Sequence, residues 1–158
     1  MGVIRRTQEI QVPDVSPKRM FKAMVIEPHT LLPKIKPDAI KSIDLLGGDG
    51  GAGTTRKTNF TDNSYVNHKI DFLDVDECTA KYCLIEGAWL GNKLKRVDYD
   101  VKFDGSGNGG CVVKLISAYD PKDGALFNEE DVKAGETQAE EFYTATGKYL
   151  HDNPGVCA

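Results

Sequence analysis

The residues with the clearest chemical potential form a glycine-rich stretch at positions 47–53, Gly-Gly-Asp-Gly-Gly-Ala-Gly. Five glycines in seven residues could bring backbone N–H groups around a phosphate. The common phosphate-binding loops, however, lead into a helix, and the P-loop also needs Gly-Lys followed by Ser or Thr. Here Thr54–Lys57 continues as a predicted strand. The pattern therefore favours a rigid glycine hairpin over a nucleotide site.

Four cysteines, at positions 78, 83, 111 and 157, offer metal or redox chemistry. Their spacing fits no zinc-ligand pattern. Cys78 and Cys83 are five residues apart, so on one strand their side chains would point to opposite faces. A cytosolic protein keeps its thiols reduced. We therefore expect free structural thiols, no metal and no cofactor.

Composition sets further limits on the function. The chain has 158 residues, 28% charged and 40% hydrophobic, with a net charge of −4. This predicts one domain over residues 1–158 and makes nucleic acid an improbable partner, since basic residues are dispersed. No apolar run approaches a membrane span, and the start MGVIRRTQEI lacks a signal peptide's apolar stretch. We expect a cytoplasmic monomer or weak dimer that binds no membrane.

The longest periodic segment, Asn128 to Asp152, predicts a helix of several turns. Asn128 is a suitable N-cap, and three acidic residues follow it. Its inner stripe is thin, comprising Val132, Gly135, Ala139, Phe142, Thr146 and Leu150. Gly135 and Gly147 each cost about 1 kcal/mol relative to alanine in a helix. Either the helix packs closely against a sheet, or it covers a space that it does not fill.

The remaining elements are mostly strands. Alternation and turn residues predict Val3–Val12, Ile40–Leu46, Thr54–Phe60, Ser64–Leu73, Cys78–Gly87, Leu94–Phe103 and Cys111–Tyr119. Short connections make these seven strands antiparallel. Two short helices, one from Ser16-Pro17 and one over Thr30–Ile35, form a V around Pro28. The expected fold class is α+β, a curved antiparallel sheet around the C-terminal helix.

Several motifs in one order resemble the plant pathogenesis-related class-ten proteins, the family of the major birch pollen allergen. They are GDGGAGT at Gly48–Thr54 with Arg56-Lys57 and Phe60, Met1-Gly2-Val3, Phe21-Lys22-Ala23, Pro33-Lys34, His68–Asp71, Ile85-Glu86-Gly87, Lys133-Ala134-Gly135 and Tyr149-Leu150. The glycine-rich loop of that family corresponds to Gly48, Asp49, Gly50, Gly51 and Gly53. The resemblance implies a helix-grip, START-like fold with a large internal cavity.

Strand alternation then predicts which side chains face that cavity. The predicted inward sets are Val66, His68, Ile70 and Phe72; Ala80, Tyr82 and Leu84; Val97, Tyr99, Val101 and Phe103; and Val113, Leu115, Ser117 and Tyr119. Phe60, Gln138, Ala139 and Phe142 complete the lining. Apolar walls with a few polar tips are typical of small-molecule pockets. Ordinary core packing with satisfied tyrosine hydroxyls is the alternative interpretation.

Catalytic alternatives from the same superfamily fit the residues less well. Ribonuclease activity ascribed to the family uses a basic loop residue and two glutamates, but Lys95 and Gly147 stand at the glutamate positions. A condensing enzyme similar to norcoclaurine synthase needs an inward lysine and acids. The inward sets contain none, Lys81 faces outward, and only His68 could act as a base. We therefore expect no catalytic residue.

The resemblance implies an intracellular, allergen-like plant defence protein that binds small apolar ligands. The ligand classes are phytohormones such as cytokinins, flavonoids, sterols and fatty acids. The family's relation to abscisic-acid receptors adds a further alternative, hormone-dependent regulation of a phosphatase.

Overall fold

A computed structural model describes residues 2–87 and 90–158, which fold as a seven-stranded sheet and three helices. The elements in order are β1 (Ile4–Val12), α1 (Pro17–Phe21), a π-helical turn (Lys22–Ile26), α2 (Pro28–Ile35), β2 (Ile40–Leu46), β3 (Thr55–Phe60), β4 (Tyr65–Asp74), β5 (Thr79–Gly87), β6 (Leu94–Gly105), β7 (Cys111–Pro121) and α3 (Glu129–Asp152). The predicted fold class is confirmed. α2 begins two residues earlier than predicted because proline is compatible with the first helical turn.

The sheet is a meander closed by its first strand. Its order is β1-β7-β6-β5-β4-β3-β2, with every neighbouring pair antiparallel. The curved sheet wraps α3, which contacts β1 at one side and α1 and α2 at the other. The concave face and α3 therefore enclose the space where a core would normally lie.

Both ends of α3 are fixed by specific hydrogen bonds. At its start the Asn128 side chain accepts from the Asp131 N–H at 3.2 Å, and the Asp131 carboxylate accepts from the Asn128 N–H at 3.2 Å. At its end the Arg19 guanidinium donates to the carbonyls of Leu150 at 2.9 Å and Val156 at 2.8 Å. These bonds satisfy groups that a helix terminus leaves without partners. The position of α3 over the sheet is thus held from α1.

Well-packed clusters flank the space under α3. In the larger one, Phe21 meets Phe103 edge-on at 5.7 Å, and Phe103 meets Tyr143 at 6.0 Å. In the smaller one, Tyr119 meets Phe127 at 5.1 Å. Tyr143 was not among the residues predicted to be inward, yet it is buried next to Phe142. Packed side chains therefore support the fold on either side of the space under α3, and not within that space.

One predicted inward residue points the wrong way. Phe72 lies on the outer face and is 45% exposed. A β-bulge after Ile70 makes Phe72 pair with Lys81 and Leu73 pair with Ala80. Because one extra residue reverses the alternation, Leu73 takes the inward place. The prediction for Phe72 was wrong for this reason.

The four cysteines are free, as predicted. Cys78 precedes β5 rather than belonging to it, so the argument from strand alternation did not apply to it. Burial raises the pKa of Cys111 to about 12, which keeps this thiol protonated and unreactive. On the outer face, Asp71, Cys83 and Asp98 bring one potential ligand atom each within 4.8 Å, but Arg96 already binds Asp98 at 2.8 Å.

Across residues 2–87 and 90–158, no helix has the length and apolar character required to cross a membrane.

The two glycines inside α3 will respond oppositely to alanine. A Cβ at Gly135 would lie 3.6 Å from the Tyr119 hydroxyl, an ordinary contact, so Gly135→Ala should stabilise by about 1 kcal/mol through helix propensity. A Cβ at Gly147 would lie 2.5 Å from a methyl of buried Val12, so Gly147→Ala should destabilise by about 1–3 kcal/mol. Urea unfolding of both variants measures this. Equal shifts would contradict the packing described.

Candidate functional site

The space under α3 is a cavity of about 940 Å³ between the concave sheet face and the helices. The sequence-predicted lining lies on its wall: Phe60, Val66, His68, Ile70, Tyr82, Leu84, Tyr99, Val101, Tyr119, Gln138, Ala139 and Phe142. Met24, Pro28, Leu32 and Ile43 were not predicted and add apolar surface from α2, β2 and the turn before α2. A cavity of this size matches small-molecule sites. The role of these residues in binding stays a prediction.

An aromatic cluster forms the sheet side of the cavity. Tyr82 stacks on Tyr99 with ring centroids 4.8 Å apart, and His68 meets the two rings edge-on at 5.5 and 5.8 Å. Adjacent strands place these side chains opposite each other, since Tyr82 pairs with Tyr99 across β5 and β6. Burial raises the pKa of both tyrosines, so their hydroxyls stay protonated. The cluster offers hydrogen-bond groups on a largely apolar wall.

Arg56 lies on the cavity wall but was not among the residues predicted to line it. It was considered only as a basic element for ribonuclease activity, yet its side chain lies on the cavity wall. In β3 it pairs directly with His68 of β4. Alternation backward from Phe60 through Thr58 would have found it, because residues two apart share a face. Burial lowers the pKa of Arg56 to about 10, which leaves it charged at neutral pH.

The edge of the cavity carries an amide and two carboxylates, in contrast to the largely apolar interior. Gln138 is exposed on α3 and lies among the residues that line the cavity, so its predicted contact with a ligand stays a prediction. Glu136 is paired with Arg6 at 3.2 Å, and the Asp62 carboxylate accepts a hydrogen bond from the Ser64 N–H at 2.9 Å. The acids on the described part of the wall therefore already have partners.

The glycine-rich loop is held by hydrogen bonds to its own residues, to Thr54 and to β4. The buried Thr54 hydroxyl accepts from the Gly50 N–H at 3.0 Å, and the Gly53 N–H donates to the Ile70 carbonyl at 2.7 Å. The Asp49 carboxylate accepts from the Gly51 N–H at 3.1 Å. These amides are used within the fold, and β3 rather than a helix follows the loop. The loop thus lacks the features that bind a nucleotide phosphate.

Three of the positions considered for catalysis lie away from the cavity, whereas His68 and Arg56 lie on its wall. Lys81 is exposed and paired with Asp100 at 3.7 Å, and Lys95 is exposed beside Asp123 at 3.8 Å. Gly147 packs on Val12. The described wall contains no lysine. The arrangement provides one imidazole, one guanidinium and phenols, with acids at the rim only.

His68 should make stability depend on pH. Burial and, secondarily, the nearby Arg56 charge lower the pKa of folded His68 to about 4 from 6.5. As pH falls from 6.5 to 4, the unfolded chain binds a proton that the native state rejects. Neutral His68 contributes stability that is fully present above pH 6.5. This contribution, at most about 3 kcal/mol, is lost as the pH falls from 6.5 to 4. Urea unfolding at pH 7 and 4.5 measures the free energy of unfolding of both proteins. Between these pH values His68→Phe should lose less of it than the unaltered protein; identical losses would refute the role of His68.

Comparisons with known proteins agree on the family. A model described as "Pathogenesis-related protein Bet v 1 family" matches residues 1–152. Major allergen Pru av 1 of Prunus avium is 40% identical over 157 residues, 98% of each chain. Pathogenesis-related protein STH-2 of Solanum tuberosum is 38% identical over 161 aligned positions, 100% of each chain. The crystal structure of Ara h 8.0201 has 30% identity and a TM-score of 0.83, covering 96% of this chain and all of that one.

A more distant likeness concerns an enzyme. The X-ray structure of norcoclaurine synthase from Thalictrum flavum, in complex with dopamine and hydroxybenzaldehyde, has a TM-score of 0.70 at 22% identity. It covers 96% of this chain and 87% of that one. Identity this low shows a shared fold and nothing about activity.

Proposed function

The chain belongs to the Bet v 1 family of pathogenesis-related proteins, and from that premise we propose that it is a plant defence-related protein that binds small, largely apolar ligands in its internal cavity. The observation that carries the proposal is the cavity of about 940 Å³ in the place of a core. Buried apolar area supplies affinity, and a few polar groups fix orientation. The ligand classes expected from the sequence, phytohormones, flavonoids, sterols and fatty acids, are part of this proposal.

The polar groups on the wall support binding. The hydroxyls of Tyr82 and Tyr99 and the imidazole of His68 make no hydrogen bond within the described part of the chain, although their rings are largely enclosed. Polar groups in a filled core are nearly always paired. Groups that face a cavity unpaired are available to water or to a ligand. This distinguishes the wall from ordinary core packing.

Binding is better supported than catalysis. A condensing enzyme needs an inward lysine, and Lys81 lies outside and paired. A ribonuclease needs two positioned proton-transfer groups, whereas Lys95 and Gly147 occupy the corresponding positions. We therefore place the function in ligand storage, transport or sensing. The proposed location is the cytoplasm, where four unpaired cysteines are stable.

A neutral fluorescent probe tests the cavity directly. N-phenyl-1-naphthylamine is apolar and uncharged, so its binding reports the cavity without any contribution from charge. We expect saturable binding with a fluorescence increase, and displacement by members of a panel of phytohormones, flavonoids and sterols. Failure of the probe and of the whole panel to bind the folded protein would refute the proposed function. Displacement by one class would identify the ligand type.

A further inference from the structure

The described part of the cavity wall carries one guanidinium or ammonium group, that of Arg56, and no carboxylate of residues 2–87 and 90–158 pairs with it. We propose that the site selects amphipathic monocarboxylic acids, with the carboxylate bound at Arg56 and the apolar body lying along the rest of the wall. This inference rests on the proposed function, because it assigns a ligand class to the same cavity. It goes further than apolar binding, since it predicts discrimination between an acid and its neutral analogue.

The hydrogen bonds of the guanidinium leave donors free. Nη2 donates to the Val25 carbonyl and, at 3.4 Å, to the Gly50 carbonyl. Nε is buried and has no hydrogen-bond partner. Nη1 makes no hydrogen bond with any residue that the structure describes, and no described carboxylate lies within 4.0 Å of Arg56. The two carbonyls hold the side chain in place without neutralising its charge.

A half-buried charge without a carboxylate partner is unusual. Arginine is rarely buried unless it is paired, because removing a charge from water costs free energy that only an opposite charge and hydrogen bonds restore. Burial already lowers the pKa of Arg56; Tyr82 opposes that effect, but no carboxylate of the described residues does. An anionic ligand would supply the missing partner. Arginine suits this role because its N–H groups match carboxylate oxygens in geometry.

The surroundings favour a single negative charge on an apolar body. Arg56 is the one lysine or arginine on the described wall, so a phosphate monoester would bring a second charge with no partner. His68, directly opposite, has a pKa of about 4 and is neutral at pH 7. It and the protonated Tyr82 hydroxyl can each donate a hydrogen bond to the same carboxylate. Everything else in the interior is predominantly apolar.

A matched pair of ligands tests the inference. 1-Naphthylacetate and 1-naphthylacetamide have the same apolar body and differ in the charge of one group. Both are titrated at pH 7 against protein loaded with N-phenyl-1-naphthylamine. Since a hydrogen bond to a charged group is worth 1.5–3 kcal/mol, we expect the acid to displace the probe at about 10- to 100-fold lower concentration. Equal potency in the unaltered protein would overturn the proposal.

Two variants locate the effect. In Arg56→Met the side chain keeps much of its length and loses its charge, so acid and amide should become similar in potency while the neutral probe still binds. Lys57→Met is the matched control, because Lys57 is the next residue and points outward, its Nζ 4.5 Å from the Tyr65 ring centroid. That variant should keep the full preference for the acid. A preference that survives Arg56→Met would overturn the role of Arg56.

A measurement on the ligand needs no variant and guards against poor folding of Arg56→Met. The carboxyl pKa of ¹³C-labelled naphthylacetate bound to the unaltered protein can be followed by NMR. An adjacent guanidinium should lower it by about 1 unit or more, whereas a purely apolar site would raise it. A raised value would overturn the proposal. Failure of the neutral probe itself to bind would instead refute the proposed function, so the two failures are distinguishable.

Discussion

Replacing Ala139 by tryptophan will weaken binding of the neutral probe by about 60-fold or more while leaving the protein folded. Ala139 lies on the cavity side of α3, and its small side chain leaves the space beneath it open. An indole buries about 200 Å² of surface, which corresponds to roughly 5 kcal/mol of apolar contact at 25 cal/mol per Å². If the indole takes the place of that much contact with the probe, and the probe recovers half of this free energy elsewhere in the cavity, about 2.5 kcal/mol of binding free energy is lost. The Kd of the probe should then rise about 60-fold or more.

The control for Ala139→Trp is the same substitution on the other side of the same helix. Thr144 is exposed, so Thr144→Trp adds an equal indole without entering the cavity. Probe titration and thermal unfolding are measured on both variants. Ala139→Trp should bind the probe about 60-fold or more weakly and keep or raise its melting temperature, because filling a void adds contacts. Undiminished binding in a folded Ala139→Trp protein would contradict the cavity as the binding site.

Replacing Gly87 by alanine will destabilise the fold by about 3–5 kcal/mol, a large fraction of the 5–15 kcal/mol typical of a domain. Gly87 has a φ of +94° at the end of β5, a conformation that costs other residues about 1–3 kcal/mol. A Cβ there would also lie 2.4 Å from the Tyr65 carbonyl oxygen and 3.0 Å from the Val66 Cα. These are backbone atoms of the paired strand, so they cannot rotate away, and overpacking adds about 1–3 kcal/mol.

Gly91→Ala separates the two contributions. Gly91 has a nearly equal φ of +87°, but a Cβ there would meet nothing within 4 Å. Its substitution therefore measures backbone strain alone. Urea unfolding of both variants should show a clearly greater loss for Gly87→Ala, and the difference is the cost of steric overlap with β4. Equal losses would show that β4 yields to the added methyl group.

Much of the cavity followed from the sequence because its wall is built from regular strands. The pairing register has no shift over Thr79–Leu84 of β5 and Val97–Phe103 of β6, or between β6 and β7 along Cys111–Tyr119. Residues such as Tyr82, Tyr99 and Tyr119 therefore lie on the face that alternation predicts. The bounds of α3 were equally accessible, since the Asn128 cap is a local signal. The resemblance supplied the cavity itself, which periodicity alone did not distinguish from a core.

The predictions failed at positions that are decided by strand pairing and tertiary packing and not by the local sequence. The bulge that turns Phe72 outward depends on how β4 pairs with β5, and no residue type in β4 announces it. Arg56 was overlooked because Phe60 was the one residue of its strand assigned to the cavity, although alternation from Phe60 also places Arg56 on the wall. Tyr143 shares α3 with Phe142 and widens the buried stripe beyond the six residues considered. Pairing and tertiary packing decided these positions.

A protein that encloses about 940 Å³ in place of packed side chains gives up contacts that a solid interior would have made. Its lifetime in the cell should then depend on cargo, because a guest that binds only the native form raises stability by RT ln(1 + [L]/Kd). Vacant copies unfold more often and are degraded first. The amount of this protein in a tissue would therefore rise with the concentration of its ligand, even without a dedicated signalling partner.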